Sequence, residues 1–196
     1  GGPASVLGED APAFDEGWLS TGLPLLGVCY GMQLLAQHYG GSLGRGLSRE
    51  YGLARLELAS DPGPLLREHG AEDVVWMSHG DHVEEVPPGF HVVARSKGVI
   101  AAMVSDDLRT FGLQFHPEVT HSTSGLSLIR AFVMGSCQAK GDWTPGAFVE
   151  ETVARLRTQL GDDHVICGLS GGVDSSVVAA LLHEAIGDRL HCIFVD

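Results

Sequence analysis

The chain has 196 residues, of which 44% are hydrophobic, so it can build a folded core and lacks the composition of a disordered protein. Its formal net charge of −13 argues against a nucleic-acid-binding surface, because neutralising phosphates requires clustered Lys and Arg side chains. The four cysteines lie far apart without metal-ligand spacing, and no apolar stretch approaches the length of a membrane span. We therefore expect a reduced, cytoplasmic protein that has no membrane or nucleic-acid partner.

The first two thirds of the chain alternate between strand-like and helix-like patterns. A buried strand is predicted at 24–29, and a helix at 31–40 that ends at a Gly-Gly pair. Five further strands are predicted at 51–58, 73–79, 91–96, 99–105 and 110–116. A helix at 124–137 follows, with Leu126, Ile129 and Val133 on one face.

The pattern changes at Lys140, where a polar turn precedes a new helix. Thr144 and Pro145 suit an N-cap and a first helical position, and Gly161 ends the helix. Its apolar stripe comprises Phe148, Val149, Val153, Leu156 and Leu160. A predicted strand, a glycine-containing turn, a helix and a second strand complete the sequence, which indicates a parallel strand–helix–strand unit.

These patterns divide the chain into two α/β domains, at residues 1–140 and 141–196. The sequence opens on "GGPASV" without a methionine and ends on the strand-like run "HCIFVD". We therefore expect a fragment, in which the first domain is truncated at its N-terminal end and the second domain at its C-terminal end.

A cysteine between two glycines lies where the first predicted strand passes into a helix, in Gly27-Val28-Cys29-Tyr30-Gly31. This is the thiol version of the nucleophile elbow, in which glycines allow a tight turn. We expect the helix N-terminus to lower the pKa of the Cys29 thiol and to direct backbone N–H groups toward an oxyanion. The alternative interpretation is a buried structural cysteine, because unpaired cysteines are often buried in cores.

A candidate base for this cysteine lies at the end of the strand predicted at 110–116. His116 ends that strand, and Glu118 follows two residues later with a proline between them. Thiol catalysis needs an imidazole to accept the proton and a carboxylate to hold the correct tautomer. A single histidine at a strand end is more often structural, but His116 alone among the ten histidines combines this position with such a carboxylate.

The segments "GVCYGMQ" and "QFHPEV" resemble the class I glutamine amidotransferases over residues 1 to about 135. The resemblance implies a flavodoxin-like open sheet and a catalytic triad of Cys29, His116 and Glu118. It also implies an oxyanion hole formed by the backbone N–H groups of Gly2 and Tyr30. The glutamine-binding residues that it implies are Gln33, Ser78, His79 and Gly80.

The second informative motif is "VICGLSGGVDSSVVAALL", in which a strand and a Gly-Gly turn precede a helix N-terminus. Such a turn lets backbone N–H groups approach a phosphate, while serine hydroxyls add donors and an aspartate can face Mg²⁺. The Walker pattern is absent because this stretch contains no lysine. The alternative interpretation is an ordinary glycine-rich turn that is capped by Ser and Asp.

The motif Ser-Gly-Gly-Val-Asp-Ser resembles the pyrophosphate loop of the N-type ATP pyrophosphatases, whose sheet belongs to the adenine-nucleotide α-hydrolase-like class. This implies binding of ATP with Mg²⁺, and no prosthetic group. The ATP-binding residues that it implies are Ser170, Gly171, Gly172, Val173, Asp174, Ser175 and Ser176.

A class I glutaminase followed by such a pyrophosphatase resembles the glutamine-hydrolysing GMP synthases, as do the segments "REYG", "VVWMSHGD" and "QFHPEVTH". The resemblance implies a ligase of purine biosynthesis with glutamine, ATP and XMP as substrates, and a homodimer for the full-length enzyme. The alternatives are a glutamine-dependent NAD synthetase, a tRNA thiolase or a non-catalytic glutamine-binding module. The amidotransferase type argues against the NAD synthetase, and the acidic charge argues against the tRNA thiolase. The complete triad argues against the non-catalytic module.

Overall fold

The computed structural model describes residues 5–8, 10–12, 14–70 and 72–194. The chain separates into two compact units, Gly1–Ala139 and Lys140–Asp196. Among the described helices, none is both long enough and apolar enough to cross a membrane.

The first unit is a mixed α/β fold, as the sequence predicts. Its elements are β1 (Leu25–Val28), α1 (Tyr30–His38), β2 (Ser42–Ala54), β3 (Glu57–Leu58), α2 (Gly63–Leu66), β4 (Val75–Glu85), β5 (Phe90–Ser96), β6 (Val99–Ser105), β7 (Thr110–Leu113) and α3 (Gly125–Arg130). A five-stranded sheet has the order β1-β7-β6-β5-β3, in which β1 and β7 are parallel and the other neighbours are antiparallel. Strands β2 and β4 form a separate antiparallel pair.

Strand β6 lies at the centre of the five-stranded sheet and is buried along almost its whole length. All of its residues except the terminal Ser105 are apolar, as expected for a strand that is covered on both faces. One cluster of buried side chains includes Leu66, Met77 and Phe115, and a second includes Met32 of α1 and Met103 of β6. Helix α1 therefore packs on the sheet and fixes the position of the turn that precedes it.

The turn from β1 into α1 depends on Gly27. A Cβ atom at this position would lie 2.6 Å from the backbone carbon and oxygen of Gly31 and from Leu35 Cδ1. A Cβ atom at Gly31 would meet no atom of the described residues within 4 Å. The prediction that glycines on both sides of Cys29 relieve crowding is therefore right for Gly27 and wrong for Gly31.

The helix predicted at 124–137 divides into α3 and a π-helical segment, Ala131–Ser136. Its buried face differs from the predicted one: Leu128 is 3% exposed, whereas Leu126 is 80% exposed. Ala131 and Phe132 pack against the core beside Leu128. The apolar face that includes Leu126 and Val133 is therefore largely exposed, and the helix covers the core through Leu128 instead.

The second unit contains α4 (Pro145–Leu160), β8 (Val165–Leu169), α5 (Val173–Ile186) and β9 (Leu190–Phe194). Thr144 caps α4 as predicted, because its Oγ1 accepts a hydrogen bond from the Ala147 backbone N–H at 3.1 Å. Strands β8 and β9 are parallel, with Val165 opposite Leu190. Val153 of α4 packs against the end of α5 in a small core, which confirms the predicted stripe except at the exposed Phe148.

Replacing Gly27 by alanine is expected to destabilise the first unit, because the new methyl group would press on the backbone of Gly31. Overpacking of this kind typically costs about 1–3 kcal/mol of unfolding free energy. Chemical denaturation of the variant and of the unaltered protein measures this difference.

The matched control is Gly31→Ala, which places a methyl group in open space on α1. Its stability should be unchanged or raised by up to about 1 kcal/mol, because alanine favours a helix over glycine. Equal stability of the two alanine variants would contradict the role assigned to Gly27.

Candidate active site

The carboxyl ends of β1 and β7 lie side by side and bring the predicted nucleophile close to the strand that leads to the predicted base. Val28 pairs with Leu113 in the parallel register, and the Cys29 N–H donates a hydrogen bond to the Leu113 carbonyl at 2.6 Å. Strand β7 ends at Leu113, so Gln114 and His116 extend beyond the sheet at the same edge. Sites of open α/β sheets form at this edge.

Cys29 occupies a backbone conformation that is rare for a residue with a side chain. Its φ is 52° and its ψ is −107°, and it is the N-cap residue of α1. Such left-handed conformations are strained for residues other than glycine and are concentrated at functional sites. The geometry agrees with a nucleophile elbow on a strand-to-helix turn.

The Cys29 side chain is buried, at 4% exposure, and touches two polar groups. Its Sγ lies 3.6 Å from the Ser78 carbonyl, to which the thiol donates, and 3.7 Å from Nε2 of Gln114, which donates to the sulfur. Burial raises the pKa of the Cys29 thiol, although the Tyr30 backbone N–H acts in the opposite direction. The expectation of a lowered pKa is therefore wrong, because loss of hydration outweighs the helix N-terminus.

His116 and Glu118 form the expected imidazole–carboxylate pair. Nδ1 of His116 lies 2.6 Å from Oε1 of Glu118, and the histidine side chain is 15% exposed. The backbone N–H of His116 donates to the Trp76 carbonyl at 2.9 Å, and Ser122 Oγ donates to the His116 carbonyl. With Nδ1–H donated to the carboxylate, Nε2 retains the lone pair that a general base needs.

The structure joins two of the three predicted triad members directly. Within the described part of the chain, Cys29 makes no hydrogen bond to His116; its sulfur contacts Ser78 and Gln114 instead. The triad assignment therefore stays a prediction, which is supported by neighbouring strand ends and by the His116–Glu118 pair.

Of the predicted oxyanion-hole residues, Gly2 lies outside the described residues. Tyr30 is the first residue of α1, so its backbone N–H has no partner within the helix. Its phenol hydroxyl donates to the Pro12 carbonyl at 2.9 Å. The Tyr30 N–H acts on the Cys29 thiol, and its role toward an oxyanion stays a prediction.

Two of the predicted glutamine-binding residues face the interior. Gln33 is 3% exposed, and its Nε2 donates to the Asp81 carbonyl at 2.7 Å and to Oε1 of Gln114 at 3.2 Å. The His79 side chain is also buried, with Nδ1 3.1 Å from the Asp81 carbonyl and Nε2 3.7 Å from Oε2 of Glu50. Burial lowers the pKa of His79, although the Glu50 carboxylate acts in the opposite direction.

The other two predicted glutamine-binding residues, Ser78 and Gly80, lie in β4. The Ser78 carbonyl accepts from the Cys29 thiol, and no atom of the described residues lies within 4 Å of a Cβ atom placed at Gly80. Direct contacts of these four residues with glutamine stay predictions. Gln114 and Glu50 were not predicted to belong to the site. Gln114 is indicated only by the pairing of Val28 with Leu113, which brings the next residues of both strands, Cys29 and Gln114, together.

In the second unit, the loop between β8 and α5 has the form of an anion cradle. Gly171 has a φ of +75°, and the N-cap Gly172 leaves the first turn of α5 without a side-chain cap. The hydroxyls of Ser175 and Ser176 donate to the Gly172 carbonyl, and Ser175 also accepts from the Ser170 backbone N–H. The first turn of α5 is therefore exposed and has no side-chain cap from its N-cap residue.

The remaining predicted loop residues, Val173 and Asp174, begin α5 and are exposed. Among the described residues, no cluster of three or more His, Cys, Asp or Glu side chains could hold a metal ion.

Comparison with known protein families matches residues 1–135 to the family "Glutamine amidotransferase class-I". The chain belongs to this family. Residues 147–195 match the family "NAD synthase". The amidotransferase family thus accounts for the first unit and for the segments that carry Cys29 and His116.

The chain is similar along its whole length to curated proteins named GMP synthase [glutamine-hydrolyzing]. The identity is 49% over 197 residues for the protein of Symbiobacterium thermophilum and 52% over 199 residues for that of Nitratidesulfovibrio vulgaris. A relative from Thermosynechococcus vestitus is 50% identical over 197 residues. The chain spans 37–38% of the length of these relatives.

Among solved structures, the amidotransferase fold recurs in a protein of Thermoplasma acidophilum that is assigned as one component of a GMP synthase. The two chains share 28% sequence identity with a TM-score of 0.55, over 59% of this chain and 57% of that protein. This likeness supports the fold class predicted for the first unit.

The raised pKa of Cys29 predicts the pH dependence of its alkylation. The thiolate is the reactive form, so the rate with iodoacetamide should rise through a midpoint above that of free cysteine in the same buffer. Peptide mapping after timed alkylation at successive pH values measures the rate at Cys29 alone. A midpoint below that of free cysteine would show that the helix N-terminus dominates over burial.

Proposed function

We propose that the protein is a glutamine-hydrolysing GMP synthase that makes GMP, AMP, pyrophosphate and glutamate from XMP, ATP and glutamine. The relatives at about 50% identity carry this name, and their similarity runs through both units. The observation that carries the glutaminase half is the 2.6 Å His116–Glu118 pair, which lies just beyond β7, the strand that pairs with β1.

In the glutaminase reaction, His116 accepts the Cys29 thiol proton on Nε2, and the thiolate attacks the amide carbon of glutamine. The N–H groups of Tyr30 and Gly2 stabilise the oxyanion, and His116 then donates its proton to the departing ammonia. The product is a glutamyl thioester on Cys29. Water, activated by His116, hydrolyses this thioester to glutamate, while Glu118 holds the imidazole in its tautomer.

In the synthetase reaction, ATP binds as its Mg²⁺ complex with the pyrophosphate on the loop from Ser170 to Ser176. The O2 oxygen of XMP attacks the α-phosphate, and pyrophosphate leaves. Ammonia from the glutaminase site then displaces AMP from the adenylated XMP and gives GMP. The exposed first turn of α5 supports the assignment of the loop, because its backbone N–H groups are suited to binding phosphate oxygens.

The homodimer, the cytoplasmic location, and the assignment of residues 1–140 and 141–196 to an amidotransferase and a pyrophosphatase domain stay predictions that accompany this proposal. Light scattering of the full-length enzyme measures its mass in solution and so tests the homodimer.

A second candidate is a glutamine-dependent NAD synthetase, which the match of residues 147–195 to that family favours. The names of the whole-chain relatives favour GMP synthesis instead. Incubating the intact protein with ATP, ammonia and either XMP or deamido-NAD distinguishes the two. AMP formation only with XMP supports our proposal, and AMP formation only with deamido-NAD would overturn it.

The Cys29→Ala variant of the intact protein should lose glutamine-dependent GMP synthesis, because no other group can form the thioester. The loss should be at least about a thousandfold, in line with removal of a catalytic nucleophile. Synthesis with free ammonia should persist, since ammonia bypasses the glutaminase reaction. If a folded variant also lost ammonia-dependent synthesis, the proposal that Cys29 serves only the glutaminase reaction would be contradicted.

The Gly171→Ala variant should bind ATP more weakly, because a Cβ atom at positive φ costs about 1–2 kcal/mol and would reshape the loop. Titration of the intact protein with ATP measures the change in dissociation constant. The control is Gly168→Ala in β8, where φ is not positive and a Cβ atom meets no part of the described chain within 4 Å. Equal ATP affinities of the two variants would argue against the loop as the ATP site.

A further inference from the structure

Gln114 is a fully buried polar residue that the proposed glutaminase reaction does not use. It is 0% exposed and follows β7 directly, with its backbone N–H donating to the Ala101 carbonyl at 2.8 Å. Its side-chain amide lies between the sulfur of Cys29 and the amide of Gln33. Burying a primary amide costs free energy unless its hydrogen bonds are satisfied. The buried position of the Gln114 amide beside the Cys29 sulfur therefore suggests a function for this residue.

The orientation of the Gln114 amide is determined by a short series of hydrogen bonds. The Asp81 carbonyl can only accept, so the Gln33 group that faces it at 2.7 Å must be the NH₂. The same Gln33 nitrogen lies 3.2 Å from Gln114, which must therefore present its carbonyl oxygen. The Gln114 NH₂ is then left to face Cys29 Sγ at 3.7 Å. Reversing either amide would place like groups opposite each other.

We propose that Gln114 is a further catalytic residue of the glutaminase site, donating a hydrogen bond to the Cys29 thiolate, and that Gln33 holds the Gln114 amide in the donating orientation. This inference rests on the proposed role of Cys29 as the nucleophile. Gln33 is then a positioning residue that acts through Gln114, in addition to any contact with substrate.

The contacts of the sulfur with Ser78 and Gln114 favour different protonation states. The thiol donates to the Ser78 carbonyl at 3.6 Å, and this contact is lost when the proton leaves, because two electron-rich atoms then face each other. The Gln114 N–H donates to either form, and it binds the thiolate more strongly because the acceptor is charged. Gln114 therefore offsets part of the desolvation that disfavours the thiolate in this buried position.

The test compares the pH profile of Cys29 alkylation by iodoacetamide in the intact protein and in its Gln114→Met variant. Methionine has a similar length and no N–H donor. We expect the midpoint to rise by about one pH unit, which is a tenfold lower rate at pH values below both midpoints. For glutamine hydrolysis, we expect kcat to fall about tenfold with a much smaller change in KM, because the thiolate forms after substrate binds.

The matched control is Gln37→Met, the same substitution at an exposed position of α1, which should leave the midpoint unchanged. A folded Gln114→Met variant with the unaltered midpoint would overturn the proposal. If circular dichroism shows that this variant does not fold, Gln33→Met provides the test instead. The Gln33→Met substitution allows the Gln114 amide to reverse, so the alkylation midpoint of Cys29 should also rise in this variant. An unchanged midpoint would overturn the proposal.

The alkylation experiment needs no glutamine, so it separates this inference from the proposed function. A protein without glutaminase activity in which Gln114→Met still raises the midpoint would contradict the proposed function but support the contact. If the protein hydrolyses glutamine but neither Gln114→Met nor Gln33→Met changes the midpoint of Cys29 alkylation, the proposed function stands and a catalytic role for Gln114 is excluded.

Discussion

The parallel pairing of β1 with β7 is the constraint on which the rest of the first unit depends. Its register aligns Val28 with Leu113, so the residues that follow each strand emerge at one edge. Cys29 then lies beside Gln114, and the chain needs only two more residues to reach His116. A slip of one residue would turn the following side chains to the opposite face. The close approach of α1 to β1 at Gly27 then holds the turn in place.

Burial and hydrogen bonding have opposite effects on the pKa of the Cys29 thiol. The interior that fixes Cys29 also removes it from water, which raises the pKa of its thiol. A site of this kind needs donors that do not depend on solvent, and the buried amide of Gln114 and the Tyr30 backbone N–H are such groups. In the proposed reaction, Cys29 would therefore start as a thiol and would need His116 to accept its proton.

Periodicity and turn residues predict most of the fold, because strands such as β6 and helices such as α4 carry strong apolar patterns. The cysteine elbow, the His116–Glu118 pair and the phosphate-type loop could also be found from sequence, since each depends on residues close together in the chain. The role of Gln114 could not, because it arises from contacts between distant segments. The sign of the Cys29 pKa shift was missed for the same reason: burial is a property of the folded chain. Leu126 shows that a helical stripe does not decide which face is covered.

The burial of Cys29 also affects the protein's resistance to oxidants. Peroxide attacks thiolates that are accessible to solvent, and oxidation beyond the sulfenic acid is not generally reversible. A cysteine that is enclosed and held mainly as a thiol presents little thiolate to solvent, whereas Cys137 and Cys192 are exposed. The same burial that disfavours the Cys29 thiolate therefore protects this side chain from irreversible oxidation.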